Sequence, residues 1–372
     1  MPNNRFKKQL ETIFNAAGIS IGGKEKHDVH IYNPEVFRRA ITQGNLGLGE
    51  SYMNGWWECD AIDELFYRLL RSRANEKVQP IENIAGKIAG RLFNLQTKSR
   101  SFVVGEKHYD TGNDLFRAML DKRMIYSCGY WKDVNNLDDA QECKLRLIFD
   151  KLMLEPGMHL LDIGCGWGGA ARFAAERYGV KVTAVTISNE QAVEARQACK
   201  NLPITIALTD YRNIEGSYDR IYSIGMFEHV GHKNYGEYFT TIKRCLKPGG
   251  LSLLHTIGGN EPCVNVDPWI CRYIFPNSMI PSASQITRAA EGLFILEDWH
   301  AFAFDYYLTL TAWHKNFETH WNTIKERHSE SFRRMWNYYL LSCAGAFKAR
   351  SLQLWQILFS AEGLTGSYRA PR

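Results

Sequence analysis

The sequence predicts a doubly wound α/β fold with a smaller helical region before it. From residue 159 onward, apolar runs of strand length alternate with helical runs, and a glycine-rich turn follows the first of these strands. Residues 1–100 lack this alternation. We therefore expect residues 1–100 to form a helical domain, with a role in lipid binding or dimerisation, and residues 101–372 to form the sheet domain.

The stretch HLLDIGCGWGG at residues 159–169 has the pattern of a strand, a glycine turn and the start of a helix. Glycine permits positive φ and lets a ligand approach the backbone closely, while free N–H groups at a helix start favour anionic ligand groups. A nucleoside with a charged tail suits such a turn. Its glycines are Gly164, Gly166, Gly168 and Gly169.

The spacing of these glycines differs from the G-x-G-x-x-G dinucleotide fingerprint. Together with the acid before the turn and Asp210 at the end of a later strand, it resembles the class I S-adenosylmethionine (SAM) methyltransferases. A plain structural turn and an NAD-type site are the two alternatives. We favour the SAM interpretation because the later strands follow at the period of a doubly wound sheet.

Seven strands are predicted, and a helix over residues 138–154 leads into the first of them. A turn is expected at LKPGG, residues 246–250. After the first strand at 159–163, the strands are 181–187, 204–210, 218–225, 251–258, 294–300 and 352–359.

The N-terminal region shows helical spacing of apolar residues at 36–41 and 62–70, separated by a predicted glycine-punctuated loop at 44–60. That loop ends in Trp56 and Trp57. Adjacent tryptophans are more often part of a core than a contact surface, so we favour a core role over lipid anchoring.

Residues 81–100 form a basic amphipathic pattern within a stretch, 68–107, that carries nine Lys or Arg against three Glu. Such helices bind anionic membrane surfaces. An equally good interpretation is a packing helix with a solvated basic face. The whole chain has a formal charge of +5, mild for a nucleic-acid binder, and we expect no nucleic-acid partner.

Nine cysteines without a C-x-x-C pair, and an N-terminus without an apolar signal region, favour a reducing cytoplasm. No apolar run approaches the roughly 20 residues that span a bilayer. Membrane contact is therefore expected to be peripheral, at the inner face of the cell membrane.

Two polar side chains are predicted at the carboxyl edge of the sheet, where ligands of this fold class bind. Glu228 follows the fourth strand, and His255 lies near the end of the fifth. His229 and His232 suggest a metal, but no third ligand has a convincing spacing, so no metal site is expected. A core role remains the alternative for His255.

The motifs YSCGYW, LLDIGCGWGG, VTISNEQ, FEHVGHKNY, LLHTIG and IFPN, in this order, resemble those of the cyclopropane-fatty-acid and mycolic-acid synthases. These are SAM-dependent enzymes that act on lipid double bonds, and the resemblance covers essentially the whole chain. It implies a seven-stranded class I SAM-methyltransferase (Rossmann-like) domain, membrane phospholipid as substrate and a homodimer.

The resemblance also implies two sets of contacts. In place of the acid that usually grips the ribose, this sequence has Thr186-Ile187-Ser188, the pattern of the family. The implied SAM contacts are Tyr109, Tyr126, Ser127, Gly164, Gly166, Gly168, Thr186, Ile187, Gln191, Asp210 and Tyr211. The implied holders of a bicarbonate ion are Cys128, Glu228, His255, Ile257 and Tyr306.

An isolated alkene is a feeble nucleophile, so its methylation requires the SAM sulfonium in a dry cleft. The carbocation that results can be stabilised by an aromatic face such as that of Tyr306. Bicarbonate, or Glu228 directly, then removes the proton that lets the ring close. Two other functions remain: methylation of a lipid or small molecule without ring closure, and SAM-dependent lipid sensing without turnover.

Overall fold

The computed structural model describes residues 2–73, 112–263 and 267–372. By internal contacts the chain divides into two compact units. The first contains residues 1–93, 264–276 and 306–352, and the second contains residues 94–263, 277–305 and 353–372. The first unit thus combines the N-terminal helices with two later segments, whereas the sequence predicted continuous domains of 1–100 and 101–372.

The described helices and strands are numbered here in chain order. The helices are α1 Pro2–Ala16, α2 Glu35–Gln43, α3 Asn45–Met53, α4 Ile62–Arg71, α5 Asn113–Met119, α6 Leu137–Lys151, α7 Gly169–Tyr178, α8 Asn189–Ala198, α9 Tyr235–Cys245, α10 Pro268–Tyr273, α11 Ala283–Ala290, α12 Phe304–Ile324 and α13 Glu330–Lys348. The strands are β1 His30–Ile31, β2 Trp57–Glu58, β3 His159–Ile163, β4 Lys181–Thr186, β5 Ile204–Leu208, β6 Tyr218–Ile224, β7 Leu246–Gly259, β8 Ile295–Ala301 and β9 Leu352–Ser360.

The larger sheet of the described chain has seven strands in the order β5-β4-β3-β6-β7-β9-β8. Strands β5, β4, β3, β6 and β7 pair in parallel, whereas β8 and β9 pair antiparallel. The order reverses direction at β3, which is the switch point where ligands of such sheets bind. The seven predicted strands and the class I fold are confirmed.

Both faces of this sheet are buried. Adjacent residues of β3 point to opposite faces, because Leu160 belongs to one buried cluster and Leu161 to the other. The first cluster includes Phe149 of α6, and the second includes Phe239 of α9. Helices therefore cover both faces, which explains why the parallel strands read as continuous apolar runs.

Side-chain caps start several helices where the sequence changes from turn to helix. Asn136 accepts a hydrogen bond from the backbone of Asp139 at the start of α6, and Ser188 accepts one from Gln191 at the start of α8. Ser282 and Gln285 form a reciprocal capping box on α11. The predicted 138–154 helix ends at Lys151, three residues early.

One local prediction was wrong, because the predicted loop at 44–60 contains helix α3. The predicted turn at 246–250 lies inside the bounds of β7, where the pairing with β6 jumps from Leu246 to Leu251 and Gly249 has a φ of 67°. The glycines of α3 are required by packing: a Cβ on Gly47 would lie 2.3 Å from the Arg39 carbonyl oxygen, and one on Gly49 would lie 2.5 Å from Trp269. Glycine here permits close contact and does not break the helix.

Trp57 lies in the core of the first unit, as predicted. Its side chain is fully buried, and its Nε1–H donates to the Leu48 carbonyl oxygen at 2.9 Å. The ring packs edge-on against Tyr338 of α13. Trp56 is half-buried under the Arg39 guanidinium, which lies 5.5 Å from its ring centroid.

None of the helices in the three described ranges is both long enough and apolar enough to cross a membrane. The basic pattern at 81–100 lies outside the described residues.

A substitution at Gly345 tests how closely α13 packs against α4. A Cβ at Gly345 would lie 2.5 Å from the Asp63 carbonyl oxygen and 2.7 Å from Phe66 Cβ. Alanine normally stabilises a helix by about 1 kcal/mol relative to glycine, but this overlap should outweigh that gain. We expect Gly345→Ala to lower the free energy of unfolding by about 1–3 kcal/mol, measured by urea denaturation.

Gly236→Ala is the matched control, because a Cβ added to this glycine of α9 would meet no heavy atom in the described part of the chain within 4 Å and its φ is not positive. It should leave stability unchanged or slightly raised. If both variants behaved alike, close packing of α13 on α4 would be wrong.

Candidate active site

The glycine turn after β3 has the backbone that the sequence predicted. Gly164, Gly166 and Gly168 have φ of 91°, 53° and 79°, values that favour glycine. A Cβ on Gly164 would lie 2.7 Å from the Met226 side chain, whereas one on Gly166 would meet no atom of the described residues within 4 Å. Gly166 therefore faces open space beside the start of α7, where a ligand can approach the backbone.

The end of β4 supplies hydroxyl and amide groups in place of an acid. Thr186 Oγ1 lies 3.1 Å from Gln191 Oε1 and accepts a hydrogen bond from the Ser188 backbone N–H at 3.2 Å. Thr186, Ser188 and Gln191 are buried, and Ile187 between them is half-buried. The structure thus brings the predicted residues of this strand end into one polar cluster.

Asp210, which follows β5, forms an ion pair with Arg212. Its carboxylate accepts hydrogen bonds from Arg212 Nε at 2.7 Å and Nη2 at 2.6 Å, so the pair is bidentate. The neighbouring Tyr211 hydroxyl is buried without a hydrogen-bond partner in the described chain, and burial raises its pKa. Of these two predicted cofactor contacts, Tyr211 offers the unused polar atom.

Residues 125–128 are held by α6. Gln141 Nε2 donates to the Ser127 carbonyl oxygen at 2.7 Å, and Lys144 Nζ donates to Ser127 Oγ at 2.8 Å. Cys128 is fully buried, with its Sγ donating to the Gly129 carbonyl oxygen at 3.0 Å. Half-buried Tyr126 packs edge-on against Phe116, which in turn contacts Trp167 of the glycine turn.

Glu228 lies in a short turn after β6 and reaches across to β7. Its Oε1 accepts a hydrogen bond from the Ile257 backbone N–H at 2.6 Å. Its Oε2 is buried and has no partner among the described residues. Burial raises the pKa of Glu228 to about 7, even though the hydrogen bond from Ile257 acts in the opposite direction.

His255 lies on β7 opposite Ile224, so it belongs to the same sheet edge as Glu228. Its Nδ1 lies 3.4 Å from Gln356 Nε2, whereas its Nε2 is buried without a partner in the described ranges. Burial, assisted by the positive charges of Lys144, Lys151 and His300, lowers its pKa well below the usual value. His255 is therefore neutral at physiological pH.

The structure brings Cys128, Glu228, His255 and Ile257 to one region. Glu228 contacts Ile257 directly, and the charge of Lys144 acts on both the Cys128 thiol and the His255 ring. The Ile257 N–H is already used by Glu228, so Ile257 contributes by holding that carboxylate. Tyr306 belongs to the other compact unit, where it stacks on Phe347 at 4.4 Å.

Tyr109, a predicted cofactor contact, lies outside the described residues. Among the described side chains, no group of three or more His, Cys, Asp or Glu is arranged to hold a metal ion. Desolvation lowers the pKa of His229 to about 4.

Sequence reasoning missed two fully buried lysines of α6, Lys144 and Lys151. Their spacing on one helical face was visible in the sequence as K-x6-K, since seven residues make about two turns. Lysine usually lies on the solvated face, however, and nothing in the sequence indicated that this face is buried.

Comparison with known proteins adds to this geometry. The family model of mycolic acid cyclopropane synthetase matches residues 96–357. The chain is 50% identical over 373 residues to the cyclopropane-fatty-acyl-phospholipid synthase of Escherichia coli (strain K12), covering 100% of this chain and 97% of that protein.

Two solved structures are also similar. The cyclopropane synthase MmaA2 from Mycobacterium tuberculosis is 30% identical with a TM-score of 0.66, covering 72% of this chain and 100% of that one. The mycolic acid cyclopropane synthase CmaA1, complexed with SAH and CTAB, is 32% identical with a TM-score of 0.65, covering 70% of this chain and 98% of that one.

The raised pKa of Glu228 makes stability depend on pH. Its ordinary value is 4.5 and its folded value about 7, so between these values the folded protein binds more protons than the unfolded one. Stability contributed by this group therefore falls as pH rises through that range. We expect Glu228→Gln to raise the free energy of unfolding at pH 8 by up to about 3 kcal/mol.

This gain should disappear below about pH 4.5, where the wild-type side chain is neutral in both states. Urea denaturation at several pH values measures it. Glu237→Gln, on the exposed face of α9, is the control for losing one negative charge. A Glu228→Gln difference that stays constant across the pH range would contradict the buried, destabilised carboxylate.

Proposed function

Because the chain belongs to the mycolic acid cyclopropane synthetase family, we propose that it converts the cis double bond of unsaturated acyl chains in membrane phospholipids into a cyclopropane ring. It is a SAM-dependent enzyme of lipid methylene transfer. The observation that carries the proposal is the buried pair of Glu228 and His255, each with an unused polar atom, at the sheet edge beside the glycine turn.

The residues of the sheet edge fit SAM. Open space at Gly166, the Thr186–Gln191 cluster and the unused Tyr211 hydroxyl can accommodate a nucleoside with polar groups. When bound, SAM supplies an electrophilic methyl group on a sulfonium. The chain's own contribution is to orient the acyl chain and exclude water, which lowers the barrier by several kcal/mol.

The pair Glu228 and His255 also fits a small ion that both donates and accepts hydrogen bonds. Buried Glu228 Oε2 accepts when ionised and donates when protonated, and a neutral His255 donates from Nε2 in the tautomer whose Nδ1 accepts from Gln356. Bicarbonate has this chemistry and would supply a base. Cys128, another implied bicarbonate holder, is near enough to buried Lys144 to interact with it electrostatically.

Glu228 itself is the alternative base. Its pKa of about 7 is close to the working pH, which suits proton transfer. In either case Glu228 places a proton acceptor at the dry end of the sheet. A cationic centre on the substrate would be stabilised by an aromatic face, for which Tyr306 is proposed.

Incubation with SAM and vesicles of unsaturated phospholipid tests the function. We expect acyl chains to gain one CH2 with loss of the alkene, seen by lipid mass spectrometry, and to show cyclopropane proton signals by NMR. A gain of CH2 with retention of an alkene would indicate methylation without ring closure. SAM binding without any product would indicate a lipid sensor.

We expect Glu228→Gln to lower kcat by roughly 10²–10⁴-fold, the usual contribution of a general base. The affinity for SAH should stay within a few-fold, because Glu228 lies outside the SAM cluster. Turnover assays and calorimetric titration measure the two quantities, with Glu237→Gln as the surface control. Unchanged turnover would remove Glu228 from the mechanism.

We also propose peripheral binding to anionic phospholipid at the inner face of the cell membrane through the basic pattern at 81–100, and a homodimer. The support for membrane binding is the sequence: Lys87, Arg91, Lys98 and Arg100 accompany an apolar helical face. Each basic residue near such a surface contributes about 1 kcal/mol.

Replacing these four residues with glutamine should therefore weaken binding to anionic vesicles by roughly 10²–10³-fold at low salt. Vesicle co-sedimentation measures this, with neutral vesicles as the reference. Four glutamine replacements of exposed basic residues elsewhere (Lys8, Lys24, Lys181 and Lys200) form the control. Equal sedimentation of both variants would exclude the basic pattern as the anchor.

A further inference from the structure

Lys144 is a fully buried cation that no described carboxylate contacts directly. Its Nζ donates to Ser127 Oγ at 2.8 Å, and this is its one hydrogen bond to the described residues. No carboxylate of the described chain lies within 4.0 Å of it. An ammonium has three donors, so two of them are unused by this part of the protein.

Lys151 shows what a buried lysine of the same helix looks like when the protein satisfies it. It is also fully buried, but its Nζ lies 3.1 Å from Asp298 Oδ2 and 3.2 Å from His300 Nδ1. Leaving a charge buried without a partner is costly, so the difference between the two lysines requires an explanation.

The nearest acids do not provide that partner. Asp121 is occupied by the backbone N–H groups of Arg123 and Ile125, at 2.9 and 2.8 Å. Asp162 accepts from the Tyr222 hydroxyl at 2.6 Å, and burial raises its pKa to about 7. Both acids act on Lys144 only through space.

The Ser127 hydroxyl also has an unused hydrogen-bonding atom. Its side chain is only 5% exposed, and its Oγ accepts the hydrogen bond from Lys144. The hydroxyl hydrogen then points away from Lys144, and no described residue accepts it. The Ser127 hydroxyl and the Lys144 ammonium group therefore both have unused donors in a buried position. An anion could accept hydrogen bonds from such donors.

We propose that Lys144 is a positioning residue for Ser127, which is already an implied SAM contact: its ammonium group orients the Ser127 hydroxyl to donate to one carboxylate-type anion and supplies positive charge behind it. The inference deepens the proposed function and rests on it. Two anions of this chemistry belong to that function: the amino-acid carboxylate of the methyl donor, and bicarbonate.

Calorimetric titration of the full-length protein distinguishes the sources. SAH carries the carboxylate, whereas 5′-methylthioadenosine has the same nucleoside without it. For Lys144→Met we expect roughly tenfold weaker binding of SAH, the loss of one charge-assisted contact, and 5′-methylthioadenosine binding within twofold of wild type. That result identifies the donor's carboxylate.

A second experiment measures how much sodium bicarbonate raises the melting temperature of the protein, relative to sodium chloride at equal ionic strength. Loss of this rise in Lys144→Met, with SAH binding retained, identifies bicarbonate. Lys151→Met is the matched control, since Lys151 is buried on the same helix but has Asp298 as its partner. It should retain both SAH selectivity and the bicarbonate effect.

The proposal is overturned if Lys144→Met changes neither measurement, or if it weakens SAH and 5′-methylthioadenosine equally. Should Lys144→Met fail to fold, Ser127→Ala removes the donor with little change in volume, and the same criteria apply to it. None of these measurements requires turnover. A protein that forms no cyclopropane but loses SAH selectivity would therefore contradict the proposed function and support the subsite.

Discussion

The hydrogen bond from the Ile257 N–H to Glu228 Oε1, at 2.6 Å, joins the two strand ends on which the site is built. It fastens the turn after β6 to the last part of β7, two residues beyond His255. The bond satisfies one carboxylate oxygen and leaves the other buried and unused. An unpaired polar atom persists in a core only when the surrounding structure holds it there, and this hydrogen bond holds the Glu228 carboxylate in place.

The burial of this edge explains its electrostatics. Desolvation is the largest cause of both the raised pKa of Glu228 and the lowered pKa of His255, so each group is closer to neutral than it would be in water. Two nearly neutral groups with free hydrogen-bonding atoms can hold a small polar species without a large desolvation cost. The buried cations of α6 lie behind them and act on His255 through space.

The two buried lysines of α6 differ in their partners. Lys151 is balanced by Asp298, which also accepts from Arg372 near the chain's last residues. Lys144 is balanced by no described acid at short range and contacts Ser127 instead. One lysine is therefore paired with an acid inside the protein, and the other is the proposed positioning residue for Ser127.

The seven strands, the glycine turn and the shared sheet edge of Glu228 and His255 could all be predicted from the sequence. These follow from local rules: period, positive φ at glycine, and the common edge shared by the ends of parallel strands. The motifs also identified the family. They could not show that Gly47 and Gly49 lie in a helix, because the Arg39 carbonyl of the preceding helix selects glycine at position 47 and the distant Trp269 ring selects it at position 49.

Which polar atoms find hydrogen-bond partners depends on how these elements pack together. Asp210 is occupied by Arg212, the Ile257 N–H by Glu228, and Lys151 by Asp298, whereas Lys144 keeps unused donors within the described chain. The Asp210–Arg212 pair is local, but the other two pairs join groups that are 29 and 147 positions apart in the sequence. Local pattern encodes the elements, but burial and pairing arise when those elements pack.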